Sequence, residues 1–143
     1  RPQEILVDVI GLGAGVVDRL REQNLPVRGV NVAEAPSTKK NYLNLRAELW
    51  FAIKDWLAQR DCRLPNDDEL VSELAAPLYK YTSTGKIKIE SKDEMRKRGI
   101  KSPDKADALA LTMASSAASF SGSESYFGYN FKKPLKSRII RVG

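Results

Sequence analysis

The first 32 residues restrict the possible fold more than any other part of the chain. Residues 4–10 form a short apolar run that predicts a β-strand. The glycine-rich residues 11–15 make a tight turn, and a helix is predicted to begin at Val16 and to end before Pro26. Residues 27–32 predict a second strand. Because strands joined by a helix pair in parallel through a right-handed crossover, we expect an α/β fold.

Asp8 interrupts the first predicted strand. A carboxylate among buried apolar residues is costly, so Asp8 either faces solvent from the end of the strand or serves as a ligand. A glycine-rich turn after a strand is also typical of dinucleotide-binding proteins, whose third glycine would fall where this chain has Val16. That fingerprint gives Asp8 no role. Glu34 lies near the place of a ribose-binding acid, but no further strand-helix unit follows it in the chain. A close turn explains the glycines equally well.

The middle of the chain predicts two helices and a hairpin. Residues 41–60 repeat apolar side chains at helical spacing, which indicates a long helix with a core-facing stripe. Residues 66–69 are polar and acidic and cap a helix that ends near Ala76; they could imitate a metal site, but capping explains them better. Residues 78–90 alternate around a Ser-Thr-Gly turn and predict a β-hairpin whose lysines either protect the edge or contact phosphate.

A later helix carries two acidic residues at its start. Ser102 is a favourable N-cap, Pro103 suits the first helical position, and an Ala/Leu run follows. The three-residue spacing puts Asp104 and Asp107 on one face. Asp104 could simply be favoured by the helix dipole. Asp107 interrupts the apolar run, where a carboxylate is costly unless it is paired or bound to a metal.

Basic side chains are concentrated immediately before this helix. They are Lys92, Arg96, Lys97, Arg98 and Lys101. They form either a solvated face or a surface that holds a phosphodiester next to the acidic pair. The net charge of +6 fits a polyanionic partner. Residues 1–119 are predicted to form the folded domain and residues 120–143 a flexible basic tail.

Composition excludes several classes of protein. A chain of 143 residues with 42% hydrophobic content suits one domain. The absence of histidine excludes a Ser-His-Asp triad and the common zinc sites, and Cys62 alone cannot form an internal disulfide. No apolar run is long enough to span a bilayer and no signal peptide is visible. Because Arg1 is not an initiator methionine, we expect a fragment or a processed product.

Asp8, Asp104 and Asp107 together predict a site for hard divalent cations. Carboxylate oxygens suit Mg²⁺ and Mn²⁺. Two such ions about 4 Å apart can activate a water and stabilise the leaving oxygen of a phosphodiester without a histidine.

Four segments, in the same order, resemble the nuclease domain of tailed-phage large terminase subunits. They are VDVIGLGAGVVD (7–18), NLRAELW (44–50), GKIKIESKDE (85–94) and SPDKADAL (102–109). The resemblance runs from about Ile5 to Ala118. It implies a ribonuclease H-like fold, and we expect a short parallel sheet plus a β-hairpin flanked by helices. It also implies a cytoplasmic endonuclease, encoded by a phage or prophage, that cuts concatemeric double-stranded DNA with two Mg²⁺ or Mn²⁺ ions during packaging.

The resemblance also assigns roles to residues. Asp8 matches the family's second catalytic acid and Asp107 matches its third. Asp104 matches a neighbouring position that can contribute a metal ligand. The hairpin at 78–90 matches an element that guards the DNA groove. The family's first acid lies on an earlier strand, so we expect a fold that lacks its first strands and an incomplete metal site. Implied partners are the terminase ATPase domain, the small terminase subunit and the portal protein. The alternative is a noncatalytic DNA-binding or assembly module of the same fold.

Overall fold

The computed structural model describes residues 2–37, 41–60 and 62–117 of the chain. Its elements, in chain order, are β1 (Ile5–Asp8), α1 (Gly13–Glu22), β2 (Val27–Val30), α2 (Leu45–Ala58), α3 (Asp68–Ala75), β3 (Tyr79–Tyr81), β4 (Ile87–Ile89), α4 (Lys92–Lys97) and α5 (Asp104–Ala117). No helix in the described part has the length and apolar character needed to cross a membrane. The predicted tail at 120–143 lies outside the described residues.

The predicted strand-helix-strand unit is confirmed, but each of its three elements has a corrected boundary, and β2 ends at Val30 and not at Val32. Strands β1 and β2 pair in parallel, and Asp8 lies opposite Val30 at the end of both strands. Asp8 is therefore the last residue of β1 and does not lie in the middle of a longer strand. Helix α1 begins at Gly13, so the predicted start at Val16 is wrong. A Cβ at Gly13 would overlap the carbonyl oxygen of Asp8, so this glycine permits the helix to start directly against the strand.

Helix α2 lies at the centre of the core. It packs against α5 and against β4 of the hairpin. Leu49 and Ile53 of α2 are almost completely buried, and Ala106 and Ala110 of α5 lie in the same apolar cluster. The predicted core stripe of the long helix is confirmed, and the small alanine side chains of α5 allow the two helices to approach closely. Helix α5 also packs against β1.

The antiparallel hairpin of β3 and β4 is tied to α4 through one glutamate. Helix α4 begins with a capping box, in which the Ser91 hydroxyl accepts a hydrogen bond from the Glu94 backbone and the Glu94 carboxylate accepts one from the Ser91 backbone. The same carboxylate contacts Lys80 of β3 at 3.1 Å and Lys88 of β4 at 3.4 Å. The Ser91 and Lys80 donors lower the pKa of Glu94 from 4.5 to about 2. The start of α4, which carries Lys92, is therefore fixed relative to the hairpin.

The predicted cap of α3 is confirmed. The Asp67 side chain accepts a hydrogen bond from the Leu70 backbone at the start of the helix. Lys105 of α5 lies 2.7 Å from Asp67 and 2.8 Å from Glu69, and these contacts lower the pKa of both carboxyl groups. The acidic cluster thus caps α3, as predicted, and also joins it to α5.

Candidate metal-binding site

The acidic pair lies in the first turn of α5, as predicted. Pro103 is completely buried, and its carbonyl accepts a hydrogen bond from the Asp107 backbone. Asp104 is largely exposed, with its carboxylate accepting a hydrogen bond from the Ser102 hydroxyl at 2.6 Å. The Asp107 side chain is only 20% exposed and faces α2. The two carboxylates therefore differ in environment, with one in solvent and one largely enclosed.

Three donors contact the Asp107 carboxylate. The indole Nε1 of Trp50 donates to Oδ1 at 3.0 Å, and Nη2 of Arg46 donates to the same oxygen at 3.3 Å. The other oxygen, Oδ2, lies 3.1 Å from the ammonium nitrogen of Lys92. This largely enclosed carboxylate is thus both hydrogen-bonded and compensated by positive charge, which is the condition for its burial.

Arg46 and Trp50 are site residues that the sequence reasoning missed. They lie one helical turn apart on α2, and the Arg46 guanidinium lies 5.7 Å from the centre of the Trp50 ring. Nη1 of Arg46 also donates to the Glu90 carbonyl at 2.7 Å, so this side chain joins the end of the hairpin to α5. Two side-chain donors spaced four residues apart, on the helix whose apolar stripe faces the core, were the available signal.

Lys92 brings the two carboxylates together. Its ammonium nitrogen lies 3.1 Å from Asp107 Oδ2 and 4.0 Å from Asp104 Oδ1. Two oxygens that converge on one positive charge fit part of the oxygen shell of a hard divalent cation. In the described residues, however, no three acidic, cysteine or histidine side chains are grouped closely enough to form a metal site. The arrangement therefore brings two carboxylate oxygens to one cationic group.

Asp8 lies at the end of β1, in the sheet against which α5 packs. Its Oδ1 accepts a hydrogen bond from the Ile10 backbone at 3.0 Å, and the residue is half-buried. This hydrogen bond fixes the turn after β1, and it uses only Oδ1 of the Asp8 carboxylate. A shared site for Asp8 and Asp107 remains a prediction.

The basic residues around α4 divide into two groups. Arg98 donates to the Glu90 carboxylate at 2.7 Å and to the Ala76 carbonyl at 3.0 Å, a contact that lowers the pKa of Glu90 and raises that of Arg98. Arg96 pairs with Asp93, Lys101 pairs with Glu69, and Lys97 is exposed. Arg98 is therefore tied to the end of the hairpin although its side chain is 39% exposed, and the other three side chains also lie at the surface.

The fold is similar to that of the nuclease domain of a phage large terminase subunit. The similar solved structures are of the nuclease domain of the large terminase subunit gp2 from bacterial virus Sf6. A point mutant with manganese and β-thujaplicinol matches at 23% identity and a TM-score of 0.62, covering 76% of this chain and 63% of that one. A point mutant with calcium matches at 23% identity and a TM-score of 0.63, and the unmutated domain at 24% and 0.61, with the same two coverages.

The predicted fold class is therefore confirmed. The chain spans 63% of the length of the Sf6 nuclease domain. No protein-family model matches the sequence, and no curated protein matches it.

Proposed function

We propose that this chain is the nuclease portion of a phage or prophage DNA-packaging terminase and acts as a divalent-metal-dependent endonuclease on double-stranded DNA in the bacterial cytoplasm. One observation carries the proposal. In a fold shared with terminase nuclease domains, Asp104 and Asp107 converge on a single cationic group at the head of α5. The Sf6 domain was itself studied with manganese and with calcium, which supports a divalent cation here.

The proposed metal ligands are Asp107, Asp104 and Asp8. When bound, Mg²⁺ or Mn²⁺ supplies positive charge that stabilises the developing charge of phosphodiester hydrolysis, and we propose two ions. Asp107 offers Oδ2, because Oδ1 is already occupied by donors from α2. Asp8 would add a third carboxylate from the end of β1, in a site that still lacks the family's first catalytic acid.

Lys92 and its neighbours are the proposed contacts to DNA. A metal ion at Asp107 Oδ2 would take over the charge compensation that Lys92 provides, so that the Lys92 ammonium becomes available to a phosphate. Arg96, Lys97 and Lys101 lie on the surface that follows, and Arg98 supports this surface through its contacts with Glu90. Concatemer cutting, and assembly with the ATPase domain, small subunit and portal, belong to the same proposal.

Cleavage of supercoiled plasmid with Mn²⁺ tests the enzyme proposal. We expect nicked and linear products from the natural chain, and their loss in Asp107→Asn and Asp8→Asn while the circular dichroism spectra stay native. Asp18→Asn is the matched control, because Asp18 is an exposed aspartate of α1 whose ion-pair partner is Arg21. Cleavage that persists in Asp107→Asn, or that falls equally in Asp18→Asn, would contradict the proposed site.

A noncatalytic DNA-binding module of the same fold is the second candidate. It is favoured by the positive charges of Arg46 and Lys92 at Asp107, which satisfy this carboxylate as a structural ion pair. In that case the chain binds DNA with an affinity that falls steeply with salt and does not cut it at any Mn²⁺ concentration. Fluorescence anisotropy of a labelled duplex, measured over a series of salt concentrations beside the plasmid assay, separates the two candidates.

A further inference from the structure

We infer that Trp50 and Arg46 are positioning residues that fix the orientation of the Asp107 carboxylate and leave Oδ2 as the oxygen directed at the metal. The inference rests on the proposed function, because it concerns how a proposed ligand is held. Nothing in the sequence motifs assigns either residue a role toward a metal.

The two oxygens of Asp107 are treated differently by the fold. Oδ1 accepts from Trp50 and Arg46, which both project from α2. Oδ2 is contacted instead by the ammonium group of Lys92, whose side chain is 47% exposed. A carboxylate whose two oxygens have such different neighbours offers a single oxygen to an ion.

The donors on Oδ1 are themselves held rigidly. Trp50 belongs to the buried core cluster, and the residue is 8% exposed. The Arg46 guanidinium is fixed at its other end by the Glu90 carbonyl. Rotation of the Asp107 carboxylate away from this position would leave the buried indole N–H without an acceptor, which is costly. The fold therefore fixes the ligand before any ion arrives, as partners behind metal ligands commonly do.

Calcium binding to the natural chain, measured by isothermal titration calorimetry, tests this inference without relying on cleavage. Trp50→Phe removes the indole N–H and keeps an aromatic ring, and Arg46→Met removes the guanidinium and keeps an apolar stem. We expect each to weaken Ca²⁺ binding by about 10–100-fold. Trp56→Phe is the matched control, because Trp56 lies on the same helix, is packed against the core and is replaced by the same side chain. It should bind Ca²⁺ like the natural chain.

A double-mutant cycle separates positioning from a general loss of stability. If Trp50 acts through Asp107, Trp50→Phe should weaken Ca²⁺ binding much less in the Asp107→Asn background than in the natural chain. Equal losses in both backgrounds would overturn the inference. If Trp50→Phe does not fold, the same cycle is run with Arg46→Met.

The indole N–H resonance of Trp50 gives a second readout that needs no metal. In ¹H–¹⁵N spectra, Asp107→Asn should shift this resonance and leave that of Trp56 in place, because only Trp50 donates to the carboxylate. An unshifted Trp50 resonance would overturn the inference.

The calcium titrations distinguish failure of the inference from failure of the proposed function. If Trp50→Phe and Arg46→Met both bind Ca²⁺ as tightly as Trp56→Phe does, the inference fails while the metal site stands. If none of the proteins binds Ca²⁺, the proposed metal-dependent function fails and the inference fails with it.

Discussion

Arg46→Met provides a quantitative test of how the centre of the structure is held together. The substitution keeps an apolar stem against the core and removes the guanidinium. Three contacts are lost: the hydrogen bond to the Glu90 carbonyl at 2.7 Å, the ion pair with Asp107 at 3.3 Å, and the contact with the Trp50 ring at 5.7 Å. Together they join the hairpin, α2 and α5.

The expected cost follows from these contacts and their burial. A hydrogen bond from a charged donor contributes about 1.5–3 kcal/mol. The contact with the tryptophan ring adds about 0.5–1 kcal/mol. The ion pair also contributes to the free energy of unfolding, because the Arg46 and Asp107 side chains are only 15% and 20% exposed and solvent screens their charges incompletely. We therefore expect Arg46→Met to lower the free energy of unfolding by about 3 kcal/mol.

Arg28→Met is the matched control for this measurement. Arg28 forms a shorter ion pair, 2.7 Å from Glu4, but the two side chains are 40% and 33% exposed. Exposed pairs contribute little, so this substitution should cost less than about 1 kcal/mol. Urea denaturation followed by circular dichroism, with equal m-values in both variants, provides the comparison. An Arg28→Met cost equal to or larger than that of Arg46→Met would refute the reasoning, because contact length and not burial would then decide the energy.

Three further substitutions test individual elements. Because the pKa of Glu94 is lowered, its carboxylate stabilises the fold above about pH 4.5, and this stability is lost as the pH falls toward about 2. The Tm difference between Glu94→Gln and the natural chain should therefore disappear over that pH interval. Gly13→Ala should lower the Tm because its Cβ meets the Asp8 carbonyl, whereas Gly15→Ala, with open space around its Cβ, should raise it. Asn44→Ala should cost about 1 kcal/mol in urea denaturation by removing the cap of α2.

The elements that the sequence predicted correctly are those with local signals. The parallel strand unit, the hairpin and the start of α5 follow from apolar periodicity and from turn and cap residues that act within a few positions. The start of α1 was wrong for a physical reason. Gly13 was interpreted as a turn residue because glycine favours turns, whereas here it is needed for close approach to Asp8.

The partners of Asp107 could not be predicted in the same way. Trp50 and Arg46 lie 57 and 61 residues away from it along the chain. Periodicity indicates which face of α2 is buried, but it does not indicate which other element packs against that face. In the structure this element is α5. The sequence therefore indicated that Asp107 needed a partner, because an unpaired buried carboxylate is costly, and left the identity of that partner open.

The most direct test of the account is a crystal structure of this chain with Mn²⁺, in which anomalous scattering locates the ion. The account predicts a manganese peak bonded to Asp107 Oδ2, with Trp50 and Arg46 still on Oδ1 and Lys92 displaced from the carboxylate. Manganese bound elsewhere, with Lys92 still on Asp107 Oδ2 at saturating Mn²⁺, would contradict it.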